Sequence, residues 1–143
     1  EPIVPAKSHV PSGTRLHTLV CIEDNPANLK LIGQLVARRS DMSLLTAVNG
    51  NSGIELARAS QPEVILMDIN LPDISGFDAL KVLREDPATA HIPVVAISAN
   101  AMPRDIEKGL QAGFFRYLTK PIEVNEFMGT LNEALTFAEK AAE

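Results

Sequence analysis

The amino-acid sequence predicts an α/β fold, a doubly wound sheet of five parallel strands in the order 2-1-3-4-5 with five helices on its two faces. Unbroken apolar runs such as Leu19-Val20-Cys21-Ile22, Val64-Ile65-Leu66-Met67 and Val94-Val95-Ala96-Ile97 read as strands buried on both sides. Segments with apolar residues at helical spacing alternate with them. Right-handed crossovers then put helices on both faces of a parallel sheet. Each run also ends in polar or charged residues, at the carboxyl edge where open parallel sheets bind ligands.

Residues 1–17 contain three prolines and no periodic apolar pattern, which describes an N-terminal arm or interdomain linker. The folded domain is expected over 18–143. The first strand, about 18–23, runs into a helix with Asn25 as N-cap and Pro26 in its first turn. Leu29, Ile32, Leu35 and Val36 form that helix's apolar stripe. A second strand, about 42–48, is followed by a turn at Asn49-Gly50-Asn51 and a short helix through Ile54, Leu56 and Ala57. The third strand ends at Asp68. The next residues, Ile69-Asn70-Leu71-Pro72-Asp73-Ile74-Ser75-Gly76, form a loop rich in turn residues. A helix from about Ser75 carries Phe77, Leu80 and Leu83 inward, and a loop over 87–93 leads to the strand ending at Ser98. Pro103 opens a helix with Ile106 and Leu110 on one face, closed by Gly113 as C-terminal cap. The fifth strand reaches Thr119, and the last helix buries Val124, Phe127, Met128, Leu131 and Leu135. This five-stranded order is the flavodoxin-like one, with Glu23, Asp24 and Asp68 neighbours at the switch point.

A chain of 143 residues, 45 % hydrophobic and 22 % charged, suits one soluble globular domain. The net charge of −5 argues against direct nucleic-acid contact, and no run approaches the ~20 apolar residues of a membrane span. The single cysteine, Cys21, excludes an internal disulfide and fits a reducing, cytoplasmic setting.

Three carboxylates at one sheet edge need a counter-charge. Hard oxygen donors without histidine or cysteine point to Mg²⁺ or Mn²⁺. Asp68 is placed to act as a nucleophile that forms an aspartyl phosphate. Lys120 would stabilise charge on the attacked phosphoryl group, and the Ser98 hydroxyl would hydrogen-bond one of its oxygens. Tyr117, the only tyrosine, is expected half-buried on the fifth strand.

In their order, Cys21-Ile22-Glu23-Asp24-Asn25, Leu66-Met67-Asp68 with its loop to Gly76, Ala96-Ile97-Ser98-Ala99-Asn100-Ala101 and Tyr117-Leu118-Thr119-Lys120-Pro121 resemble the receiver domains of two-component response regulators. The resemblance spans about 16–138. It implies that Asp68 is the phosphorylation site, that Asp24 ligates the metal directly, that Glu23 does so through water, and that the backbone carbonyl of Asn70 is a third ligand. It also implies that Ser98 and Tyr117 form a switch and that the Lys120-Pro121 bond is cis. The Glu-Asp acidic pair and the serine hydroxyl depart mildly from the commoner Asp-Asp and threonine. The wording Glu23-Asp24-Asn25-Pro26-Ala27-Asn28 and Ser98-Ala99-Asn100-Ala101-Met102 is similar to receivers of hybrid sensor histidine kinases. The implied partners are a sensor histidine kinase domain or a histidine phosphotransfer protein. The domain would be cytoplasmic and make no membrane contact itself, membrane anchoring of a parent chain and phosphorylation-dependent pairing of two copies being left open. Asn70 and Asn100 are expected to overlook the in-line water approach and tune hydrolysis.

Two other functions compete. A haloacid-dehalogenase-type phosphatase shares the aspartate, Mg²⁺, hydroxyl and lysine, but needs a second aspartate where this chain has Asn70. A phosphate-independent receiver-like binding module would not need the complete set Glu23, Asp24, Asp68, Ser98 and Lys120.

Overall fold

The computed structural model describes residues 16–142, with the side chains described as far as 141. The expected arm lies outside the described residues except for its last two, and the second of these, His17, already belongs to the first strand. The elements run β1 (His17–Ile22), α1 (Pro26–Val36), β2 (Met42–Ala47), α2 (Gly50–Ser60), β3 (Val64–Asp68), α3 (Gly76–Glu85), β4 (Val94–Ser98), α4 (Pro103–Ala112), β5 (Arg116–Thr119) and α5 (Val124–Ala142). All four strand pairings are parallel and the sheet order is β2-β1-β3-β4-β5, as the apolar runs predict.

Alternate residues of the central strands feed two cores, one on each face of the sheet. Leu19, Cys21, Leu66, Val95 and Ile97 pack under Ile32, Leu35, Phe127 and Leu131 of α1 and α5. Val20, Ile22, Ile65, Met67 and Ala96 pack under Ile54, Ala57, Leu80 and Leu83 of α2 and α3. Every residue of β3 and of β4 is buried, which is why neither shows a polar alternation.

Local chemistry sets the element ends that carry the site. Asn25 caps α1, its side-chain oxygen accepting from the Ala27 and Asn28 amides. Ser75 caps α3 by accepting from Asp78 N–H. Gly76 must be glycine, because a Cβ there would lie 2.7 Å from the Ile69 Cα and 3.0 Å from the Asp68 carbonyl oxygen. That close approach seats α3 directly under the end of β3. Gly113 ends α4 at φ 116°, the left-handed cap expected of it.

Two sequence expectations are corrected. Gly50 and Asn51 are not a turn but the first residues of α2, because Asn49 caps that helix and Asp73 reaches across to accept both amides, at 2.7 and 2.8 Å. On α4 the buried position is Gly109, whereas Leu110 is 45 % exposed and Ile106 only half-buried. Because α4 meets the body through a glycine, it lies shallow on the sheet edge.

Candidate functional site

The carboxyl ends of β1 and β3 bring Glu23, Asp24 and Asp68 together, each offering a carboxylate oxygen within 4.8 Å of the others. β1 and β3 are hydrogen-bonded neighbours, so the acids after Ile22 necessarily meet the one ending β3. Glu23 is fully buried, Asp68 is 3 % exposed, and Asp24 is open to solvent. Lys120 follows β5 and extends its ammonium back across the edge, with Nζ 2.9 Å from Asp68 Oδ2 and 3.3 Å from Glu23 Oε1. The Lys120-Pro121 peptide is cis, as the resemblance implies.

The remaining valences are mostly satisfied. Asp68 Oδ1 accepts from the Asn70 backbone N–H at 2.9 Å, and Glu23 Oε2 from the Asn25 N–H at 3.1 Å. Glu23 Oε1 is the exception: buried, without an aligned hydrogen bond, and opposed only by the lysine charge. Burial first, then the hydrogen bond and charge of Asp68, push the Glu23 carboxyl up to about 7. Burial acts to lower the Lys120 pKa, but the hydrogen bond and charge of Asp68, then the charge of Glu23, outweigh it and hold the ammonium above its ordinary range.

An under-satisfied buried carboxylate beside two others, with only oxygen donors, is a site short of positive charge. The residues fit a hard divalent cation. No histidine or cysteine belongs to the cluster. Cys21, two residues before Glu23, is buried and its thiol is pushed well up by burial and by the charges of Glu23 and Asp68, so it is inert.

Ser98 ends β4 at the same edge and is 1 % exposed, its Oγ accepting from the Asn100 N–H at 3.0 Å. Tyr117 on β5 is half-buried as expected, and its hydroxyl donates to the Asn100 carbonyl at 3.0 Å. A cavity of about 110 Å³ lies between them, lined by Asn70, Phe77, Ser98, Asn100, Lys108 and Tyr117 among others. A wider groove of about 500 Å³ along β5 and α5 stands apart from the carboxylates. Of the two amides expected over the water approach, Asn70 is exposed beside Asp68. Asn100 instead spends its side chain on Asp105 and on the Met102 N–H.

Residue types alone did not point to three supporting groups. These are Asp73 on the α2 N-terminus, Asp105 on Asn100, and Arg84, whose guanidinium joins the carbonyls of Ala90, Ile92 and Gly113. Each bridges segments far apart in the sequence or within a loop, where no periodicity marks a partner.

Residues 19–132 match the response regulator receiver domain family. The polar-differentiation response regulator DivK of Brucella anthropi is 39 % identical over 118 residues, 82 % of this chain and 95 % of that protein. The receiver domain of a sensor histidine kinase from Pseudomonas aeruginosa, solved with a magnesium ion coordinated in its active site cleft, superposes with a TM-score of 0.76 at 29 % identity, covering 85 % of this chain and 98 % of that one. The signal receiver domain of a putative Luxo repressor protein from Vibrio parahaemolyticus shares the fold, with a TM-score of 0.82 at 22 % identity over 89 % of this chain and 95 % of that one. Among the described residues no helix is long and apolar enough to cross a membrane.

Proposed function

This chain belongs to the response regulator receiver domain family, and on that premise we propose that Asp68 takes a phosphoryl group from a kinase phosphohistidine and that the gained charge switches the surface formed by α4, β5 and α5. It is a phosphorelay receiver rather than an ordinary enzyme. The observation that carries the assignment is the Lys120 ammonium bonded at 2.9 Å to an almost buried Asp68 that stands among two further carboxylates.

The Asp68 carboxylate attacks phosphorus in line with the donor nitrogen. Its O–P bond forms as the N–P bond breaks, and the imidazole leaves with the electron pair and takes up a proton. Lys120 then faces the phosphoryl oxygens as charge collects on them. Asp24, Asp68 and the Asn70 carbonyl would hold Mg²⁺ directly and Glu23 would hold it through water. Mn²⁺ has the same preference for oxygen. A bound ion supplies charge neutralisation and Lewis acidity. Ser98 Oγ exchanges the Asn100 N–H for a phosphoryl oxygen, and Tyr117 repacks in response. Asn70, an amide too weak to act as a base, orients water for hydrolysis of the acyl phosphate, which therefore turns over.

The similarity of the Glu23–Asn28 and Ser98–Met102 motifs to hybrid kinases, and the likeness to a sensor-kinase receiver, support placement as the receiver of a hybrid histidine kinase in the cytoplasm. A sensor kinase domain or histidine phosphotransfer protein is the donor. No observation favours the phosphatase reading, since Asn70 stands where the proton-shuttling acid would be needed.

The test is transfer from a radiolabelled phosphohistidine protein in Mg²⁺. Label should pass to the parent chain and not to Asp68→Asn. Equal labelling of both, or release of inorganic phosphate from p-nitrophenyl phosphate without labelling, contradicts the assignment.

A further inference from the structure

The amino edge of the sheet, opposite the carboxylates, carries an apolar trough. The residues leading into β1, β3, β4 and β5 line that edge in spatial order. Glu63 N–H donates to the Thr18 carbonyl, Ile65 N–H to that of Pro93, and Phe115 N–H to that of Val94. Three grooves join end to end there. The first, about 160 Å³, is lined by Glu63 and Glu139 and shares His91 and Pro93 with the second, of about 350 Å³. The second shares Phe115 and Phe137 with the third, of about 450 Å³, which Lys140 borders. A ridge separates the last two, where the Phe115 and Phe137 rings meet at 5.3 Å. Phe137 is 47 % exposed, so α5 sets a large aromatic side chain outside both cores. The first groove begins where the chain enters β1, since His17 Nδ1 lies 2.7 Å from Glu63 Oε2 and Nε2 lies 3.9 Å from Glu139 Oε2.

We propose that the chain's own N-terminal segment, residues 1–15, docks along this trough with Val10 and Pro11 over the Phe115–Phe137 ridge. Length supports that occupant. From β1 to β5 the edge crosses three strand spacings, about 15 Å, and the six residues from Leu16 back to Val10 span about 20 Å when extended. The sequence supplies the course. Ser12-Gly13 suits the bend from the strand direction into the edge, and Pro11 holds Val10 extended. Charge agrees as well, because Arg15 falls on the same side of an extended chain as His17, toward the carboxylates of Glu63 and Glu139. Val10 is the apolar residue nearest β1 in that segment, and the ridge is the apolar ground within its reach. The segment so seated runs past β5 and α5 at the edge opposite Asp68, and the proposal stands independently of phosphoryl transfer.

The test is methyl and aromatic NMR on the full chain, with Val10 assigned through Val10→Ala. In the parent the Val10 methyl signals should be displaced by ring current and show cross-peaks to the Phe115 and Phe137 rings, unchanged on tenfold dilution. Phe137→Ala should return them to the positions of an unstructured valine. Val10→Asp leaves the folded body untouched, and should move the Phe115 and Phe137 ring signals while the β3 and β4 amides keep theirs. Native-state trypsin cleavage after Lys7 should quicken by about fivefold in Phe137→Ala, because cleavage follows the undocked fraction. Val10 methyls at unstructured positions in the parent, or parental ring signals in Val10→Asp, would overturn the proposal. So would cross-peaks that fade on dilution or pass between differently labelled chains, which would give the ridge to a second copy.

Discussion

Replacing Glu23 with glutamine should make the metal-free protein more stable at pH 8 and have a much smaller effect at pH 5. Glu23 is fully buried, and its carboxyl is pushed from 4.5 up to about 7 by burial, then by the hydrogen bond and charge of Asp68. A folded state that holds a proton more tightly than the unfolded chain loses stability as pH rises through the window between those values, and remains penalised above it. At ~1.4 kcal/mol per pH unit the penalty is on the order of 3 kcal/mol, an upper bound because the site relaxes when charged. Glutamine carries no charge, keeps an acceptor for the Asn25 N–H, and offers Asp68 the donor that the protonated acid would supply. Urea unfolding in EDTA at the two pH values measures the difference. Adding Mg²⁺ at pH 8 should then stabilise the parent more than Glu23→Gln, since the ion binds the carboxylate form. An equal gap at pH 5 and pH 8, or a variant weaker than the parent at pH 8, would show that Glu23 is not a buried charge waiting for a cation.

Lys120→Ala removes the contacts at 2.9 and 3.3 Å to Asp68 and Glu23, and should keep the fold while slowing labelling by at least about tenfold, read by intact mass against time. Gly109→Ala would place a Cβ 2.7 Å from Tyr117 Cδ2, so the ring must shift and tyrosine emission should change while the urea midpoint of the body moves little. Asp73→Ala frees the Gly50 and Asn51 amides at the start of α2, and their hydrogen exchange should quicken while β3 amides stay protected.

The strands were legible because burial on both faces leaves unbroken apolar runs, and the parallel order then follows from crossover handedness. The place of Asp68 at the sheet edge was legible for the same reason, since it is a charge at the end of a run such as Val64–Met67. Helix caps at Asn25 and Gly113 carry local signals that read directly. What did not read directly depends on partners distant in sequence. The start of α2 is fixed partly by Asp73, 23 residues from Gly50, so a local Asn-Gly signal suggested a turn. The periodicity of α4 suggested a buried Leu110, but a helix seated through Gly109 against the Tyr117 ring turns that leucine outward. Asn100 was read as an amide overlooking the water approach. Only the fold shows that its amide is bonded to Asp105.

The most direct test of the account is the intact mass of the chain after incubation with acetyl phosphate. With Mg²⁺ present the parent should gain one phosphoryl group, labile to hydroxylamine as an acyl phosphate is, and peptide mapping should place it on Asp68. Asp68→Asn, and the parent in EDTA, should gain nothing. Full labelling of Asp68→Asn, or labelling of the parent that is indifferent to divalent metal, would contradict the claim that the Glu23, Asp24, Asp68 and Lys120 cluster is a phosphoacceptor site.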